Sequence, residues 1–304
     1  MINKNLKDIL QIHKNISNIN LVVAGSEKED ILQVVSGISK FQGITIHLTG
    51  PGNAISQCLS VHKINIPNAH IHNIVDIKDM VGLASDLYQS GKPVILMKGN
   101  VTTAGLMGKV IKKEFHLKED KHISHVALFE IPEYHKLLCI TDVAMNITPD
   151  LTAKKSIIEN AVEIMRKLGV SIPKVACLSA IEYVNPKIPS TLDAEKLKEM
   201  NKKGEIEGCI VEGPFGLDNA ISKKSAQYKN IINDVAGDAD IVLVPDLVCG
   251  NMLYKSLVYF ARAKCAAVIT GTKIPIVLTS RTDTYENKLN SLKLALKVLC
   301  ESVD

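Results

Sequence analysis

An α/β fold is the class this sequence predicts, and three observations carry the prediction. Short apolar runs recur along the whole chain, most are followed by stretches of helical period, and 304 residues with 46% hydrophobic content suffice for large cores. Strand and helix in steady succession imply a largely parallel sheet covered by helices on both faces.

INLVVAG (19–25) is the first apolar run and leads into the helical EDILQVVSGISKF; ITIHLTG (44–50) follows. KPVILMKG (92–99) comes before a second helical segment, TAGLMGKVIKKEF. HVALFEI (125–131) and KLLCITD (136–142), joined by PEYH, read instead as a hairpin. The polar, charged stretch KKEFHLKEDKHIS just before it marks a domain boundary at 122/123. In TAKKSIIENAVEIMRKLG (152–169), Ile157, Ile158, Ala161, Ile164, Met165 and Leu168 share one helical face, and Gly169 closes it as a C-terminal cap. KVACLSA (174–180), GCIVEG (208–213), DIVLVPD (240–246), CAAVITG (265–271) and IPIVLTS (274–280) complete the strands, with helices expected at NMLYKSLVYFARAK (251–264) and YENKLNSLKLALKVLCES.

Composition narrows the function classes. The net charge of +4 is spread along the chain with lysines interleaved among acids, so the pattern does not fit a nucleic-acid binder. The N-terminus MINKNLKDILQIHKN has no apolar signal core, no run approaches a membrane span, and position 2 is not glycine, so a cytoplasmic protein without membrane attachment is expected. Seven scattered cysteines, mostly inside apolar runs and without a C-x-x-C pair, read as reduced core thiols rather than metal ligands or a nucleophile. His116, His122 and His125, and the HIH of 70–72, match no metal-ligand spacing, so these stretches are expected to be solvated and no metal is assigned. The first strand-to-helix turn, AGSEKED, has one glycine where dinucleotide binding needs three, and no P-loop occurs.

Ligands of open parallel sheets bind at the carboxyl ends of strands, where helix N-termini present unpaired N–H groups to anions. Five such ends carry suitable residues. Lys98, Asn100, Thr102 and Thr103 follow KPVILMKG; Asp142 and Asn146 follow KLLCITD; Glu212 ends GCIVEG ahead of a loop shaped by Gly213, Pro214 and Gly216. Asp246, Gly250, Asn251 and Lys255 follow DIVLVP, and Ser280, Arg281 and Asp283 follow IPIVLT. Arg281 is one of only three arginines, and its planar fork grips a phosphate or carboxylate as an ammonium cannot. A hydroxyl, a fork donor and a carboxylate within four residues meet the needs of acyl or phosphoryl transfer, whereas a nucleophilic serine would want a G-x-S-x-G elbow that is absent.

TDVAMNITPDLTAKKSIIENAVE, VNPKIPSTLDAEKLKEMNKKGEIEGCIVEGPFGLDNAIS, AGDADIVLVPDLVCGNMLYKSLVYFA and KIPIVLTSRTDTYENKLNSLKLAL together resemble phosphate butyryltransferases, close relatives of the phosphate acetyltransferases. The resemblance covers most of the chain. It implies a two-domain α/β/α fold like that of isocitrate and isopropylmalate dehydrogenases with an interdomain active-site cleft, a discontinuous first domain of 1–122 and 272–304, and a second of 123–271. It also implies the reversible exchange of acyl-CoA and phosphate for acyl phosphate and CoA, by direct attack in a ternary complex. Coenzyme A would then be a substrate, with no tightly bound cofactor, and the protein a homo-oligomer of at least two copies. Ser280 and Arg281 match the family's Ser-Arg pair. The relatives' catalytic aspartate, seven residues past that serine, falls here on Asn287, which leaves Asp283 and Glu286 as local candidates for the base; the arginine they carry after their TTA motif falls on Gly108. A butyryl or branched acyl group is the expected cargo, acetyl the near alternative. A decarboxylating dehydrogenase on the same scaffold would need more arginines, and a non-catalytic CoA or acyl-phosphate binder is the remaining reading.

Overall fold

The computed structural model describes residues 5–11, 18–280 and 282–301. These form a mixed α/β fold in two compact units, one of residues 10–121 with 266–301, the other of residues 5–9 with 122–265. Eleven strands occur among the described residues. They are β1 (Ile19–Ala24), β2 (Ile44–Gly50), β3 (Ala69–Asn73), β4 (Val94–Lys98), β5 (Ser124–Glu130), β6 (Leu138–Thr141), β7 (Lys174–Leu178), β8 (Ile210–Phe215), β9 (Ile241–Leu243), β10 (Lys264–Thr270) and β11 (Ile276–Val277).

In the unit of 10–121 and 266–301 the order β3-β2-β1-β4-β11 is parallel throughout, with β10 antiparallel to β11. Register aligns the strand ends. Ala24 faces both Thr49 and Lys98, and Val277 faces Met97, so Gly99 and Asn100 leave β4 at about the level where Thr279 and Ser280 follow β11. Both faces are covered, and every residue of β1 is buried, as a near-continuous apolar run in a parallel sheet requires. The helix Glu29–Ile38 supplies Ile31, Leu32, Val34, Val35 and Ile38 to that core.

In the other unit the order is β5-β6-β9-β7-β8, with the expected hairpin pairing β5 and β6 antiparallel and the remaining pairs parallel. The helix Leu151–Lys167 buries the expected face, capped at its start by Asp150, whose carboxylate accepts from Ala153 N at 2.8 Å. Gly169, at φ +93°, lets the chain turn so that its own N–H reaches Arg166 O and the N–H of Val170 reaches Met165 O, satisfying two terminal carbonyls.

Several elements differ from the sequence reading. HIH, read as solvated, lies in β3 with His70 and Ile71 exposed as expected and His72 half-buried, whereas His125, read with the solvated histidines, is a buried member of β5. The helix expected from 251 begins at Leu247, because Asp246 caps it through Cys249 N at 2.8 Å, and it ends at Tyr259 ahead of β10. IPIVLTS contributes only two ladder residues, with Pro275 before them lacking a donor. Residues 5–9, which the sequence reading grouped with 1–122, belong to the unit of 122–265: Leu6 is buried and its N–H donates to Glu130 Oε2 at 2.7 Å. No helix among the described residues is long and apolar enough to cross a membrane.

Candidate active site

Lys98, the last residue of β4, sits between β1 and β11 with its side chain buried. Its Nζ donates to the carbonyls of Gly99 at 3.2 Å and Val101 at 3.3 Å, which steady an ammonium withdrawn from water. The turn beyond is laced to the turn after β1. Gly99 N donates to Ala24 O at 2.9 Å and Asn100 N to Gly25 O at 2.6 Å, while Asn100 Nδ2 donates to Glu27 Oε1 at 2.6 Å. A Cβ at position 99 would collide with the Gly25 carbonyl, so only glycine allows this approach.

From β11 the chain delivers Thr279, buried, and Ser280, exposed. Ser280 N donates to Asp283 Oδ2 at 2.7 Å, and Ser280 Oγ lies 3.0 Å from Thr282 Oγ1. Burial pushes the Asp283 carboxyl up, against the pull of the Ser280 N–H and of Lys288. Thr284 caps the next helix, Tyr285–Cys300, through Asn287 N at 3.2 Å. One turn in, Lys288 is buried and its Nζ lies 2.6 Å from Asp30 Oδ2.

Lys28, Asp30, Lys98, Asn100, Thr279, Ser280 and Lys288 line one cavity of about 430 Å³ at the carboxyl ends of β4 and β11. Three ammonium groups face one carboxylate there, with hydroxyl and amide donors beside them. Such a lining suits an anion carrying several acceptor oxygens. A larger depression of about 600 Å³, lined by Ser36, Ser39, Lys40, Lys63, Asn65 and Tyr285, holds none of the residues singled out from the sequence.

Of those residues, Lys98, Asn100 and Ser280 converge on the cavity, and Asp283 joins through Ser280. Thr102 caps the helix Thr103–Val110 by accepting from Gly105 N at 3.1 Å, and Thr103 is exposed on its first turn. Glu286 is exposed on the first turn of Tyr285–Cys300 and is not among the lining residues. Arg281 lies outside the described residues. Lys28, Asp30, Thr279 and Lys288 were missed. The position of β1 beside β4 brings the AGSEKED turn to the site, and one glycine in that turn was no signal for it.

The other candidates belong to the unit of 122–265. Asp142, buried, accepts from Ala144 N (2.9 Å), Met145 N (3.0 Å), Asn146 N (3.1 Å) and Asn146 Nδ2 (2.6 Å), and Asn146 Nδ2 also reaches Ile123 O at 2.9 Å. The pair therefore ties the loop after β6 into one shape. Gly250 packs on that loop, since a Cβ there would meet Asp142 O at 2.6 Å. Glu212 pairs with Lys198 at 2.9 Å, Asp246 is the helix cap described above, Asn251 is half-buried and Lys255 exposed. All seven cysteines are free thiols, but only Cys139, Cys177 and Cys265 lie in the core as expected, while Cys249 is exposed on the first turn of Leu247–Tyr259; burial pushes the thiols of Cys177 and Cys209 up to about 12, far from the reactive thiolate.

The lysine-lined cavity at the strand ends stands beside a family match: residues 11–296 match the phosphate acetyl/butaryl transferase family. The chain belongs to that family. It is 42% identical to the probable phosphate butyryltransferase of Bacillus subtilis, over 96% of this chain and 97% of that one. It is 38% identical to the phosphate butyryltransferase of Clostridium acetobutylicum, over 97% and 98%. Among solved structures it resembles a branched-chain phosphotransacylase from Enterococcus faecalis, with a TM-score of 0.82 and 35% identity over 93% of this chain and 100% of that one. Family membership extends the likeness seen in four stretches of sequence to nearly the full length.

Proposed function

We propose that this protein is a phosphate acyltransferase that moves a short-chain acyl group, butyryl foremost, reversibly between CoA and inorganic phosphate. The observation that carries the reading is the cavity holding Lys28, Lys98, Lys288 and Ser280 in a chain of this family. In one direction a phosphate oxygen attacks the thioester carbonyl and the CoA thiolate leaves; in the other the thiolate attacks the acyl phosphate and phosphate leaves, with both substrates bound together. Lys98 and Lys288 hold phosphate charge, Ser280 donates to oxygen, and Arg281, carried over from the family's Ser-Arg pair, supplies the bidentate grip. Asp283 serves as the base toward the thiol: burial raises its carboxyl and so strengthens its hold on a proton. Glu286 is the second candidate for that role. Asn100, Thr102 and Thr103, with Asp142, Asn146, Glu212, Asp246, Gly250, Asn251 and Lys255, are assigned to substrate binding directly or through the loops they shape.

The proposal extends to a likeness with the isocitrate and isopropylmalate dehydrogenase fold, with a discontinuous first domain to which the C-terminal segment returns and a cleft as the family resemblance implies. It further includes a cytoplasmic homo-oligomer that uses CoA as substrate and holds no cofactor tightly. The test is release of free thiol from C2 to C5 acyl-CoAs in the presence of phosphate. Butyryl-CoA is expected to react fastest, and Arg281→Ala to lower the rate at least ~100-fold, as loss of a donor to developing charge does. Faster turnover of acetyl-CoA would make the protein an acetyltransferase, and folded protein that binds CoA yet releases no thiol would sink the enzymatic reading.

A further inference from the structure

Asn20 is the one polar side chain in the otherwise apolar β1, and it is buried. Its Nδ2 donates to the carbonyls of Asn18 at 2.9 Å and Pro93 at 3.4 Å, which orients the amide and leaves Oδ1 as an acceptor. His47, on the neighbouring β2 and also buried, places Nε2 3.1 Å from that oxygen. The proton must then sit on Nε2, and the lone pair of His47 projects from Nδ1. His72 Nε2 lies 3.0 Å from that Nδ1. His70 and His72, two residues apart on β3, share a face, and His70 pairs in register with His47, its ring stacked 5.7 Å away. Three imidazoles thus line one face of the edge pair β2 and β3, with His72 half-buried and His70 exposed.

We propose that His47 Nδ1 and His72 Nε2 form a two-histidine site for a divalent transition metal of the zinc, nickel or copper class. Two imidazole nitrogens about 2.1 Å from one ion stand about 3.0–3.4 Å apart for ligand angles between square and tetrahedral, which matches the spacing here. Asn20 plays the part that a carbonyl or carboxylate takes behind a ligating histidine, holding the tautomer and the ring direction. No group of three or more His, Cys, Asp and Glu among the described residues is placed to hold a metal, so the two imidazoles are the whole proposed ligand set, with His70 stacked beside His47. On binding, the metal takes the place of the hydrogen bond from His72 Nε2–H to His47 Nδ1, and the His72 proton moves to its own Nδ1, so no net proton is released. Burial, then His72, His70 and Lys92, lowers the proton affinity of His47, and burial with His70 lowers that of His72, both shifts in the direction of the neutral ring that ligation needs.

The test uses the full chain, stripped with a chelator and titrated with Zn²⁺ and Ni²⁺ by calorimetry and thermal melting. One equivalent is expected to bind in the micromolar range and raise the Tm, reversibly with chelator. His72→Gln, at a half-buried position on the edge strand, is expected to weaken binding at least tenfold while melting cooperatively without metal, whereas His62→Gln and His135→Gln leave it unchanged. Absence of stoichiometric binding below millimolar metal, or binding that survives His72→Gln intact, overturns the site. Acyl transfer is not the readout, so this result stands apart from the fate of the proposed activity.

Discussion

Lys98 and Lys288 are both buried cations, yet they are held differently, and the difference separates two predictions. Lys98 donates to the Gly99 and Val101 carbonyls and lines the cavity, so Lys98→Met keeps most of the packing while removing a cavity-lining charge. Loss of a charge-assisted hydrogen bond of ~1.5–3 kcal/mol should raise the KM for phosphate about 10–100-fold with little change in Tm. Steady-state kinetics with phosphate varied will show it. Lys288 depends on Asp30, whose own side chain is 57% exposed. Asp30→Ala strands the buried ammonium, and because water reaches one side of the pair the expected cost is ~1–3 kcal/mol, visible as a lower urea midpoint at unchanged slope. The sequence pointed to Lys98 through its place after a strand. It could not point to Lys288, which faces its partner across 258 positions of chain.

At the scale of elements, caps decide where helices start, and they explain why residues suited to a ligand are already engaged. Asp246 caps Leu247–Tyr259 and Thr102 caps Thr103–Val110. Asp246→Ala should therefore cost ~1 kcal/mol, while Asp246→Ser keeps the cap and recovers most of it. If thermal melts show the serine variant no better than alanine, the carboxylate has a role beyond capping. β3 shows why polar edge strands elude sequence reading. AHIHN lacks the apolar alternation of a half-buried strand, since both of its histidines pack against His47 of β2. The long apolar runs of β1, β2 and β4 were legible because burial on both faces favours apolar residues at most of their positions.

For the molecule as a whole, the buried histidines set a pH dependence. The folded pKa of His47 falls from 6.5 to about 4, first by burial and then by His72, His70 and Lys92; burial also lowers His72, and lowers His125 against the opposing charge of Asp142. A group with a depressed folded pKa binds fewer protons in the native state than in the unfolded one. The stability of these neutral imidazoles is thus present above about pH 6.5 and is lost as the pH falls toward 4. Thermal melts across that window should show a falling Tm, and His47→Asn should flatten the slope. By itself the sequence determined the α/β class, most strands of both units, the strand-end positions and the family, because each is written in local periodicity or in collinear motifs. Only the tertiary structure decided that Lys28, Asp30 and Lys288 share a cavity with Lys98 and Ser280, that Asp142 holds a loop, and that His47 meets His72. Such pairings depend on which strands lie side by side, and strand order comes from packing across the whole sheet, which no short stretch of sequence carries.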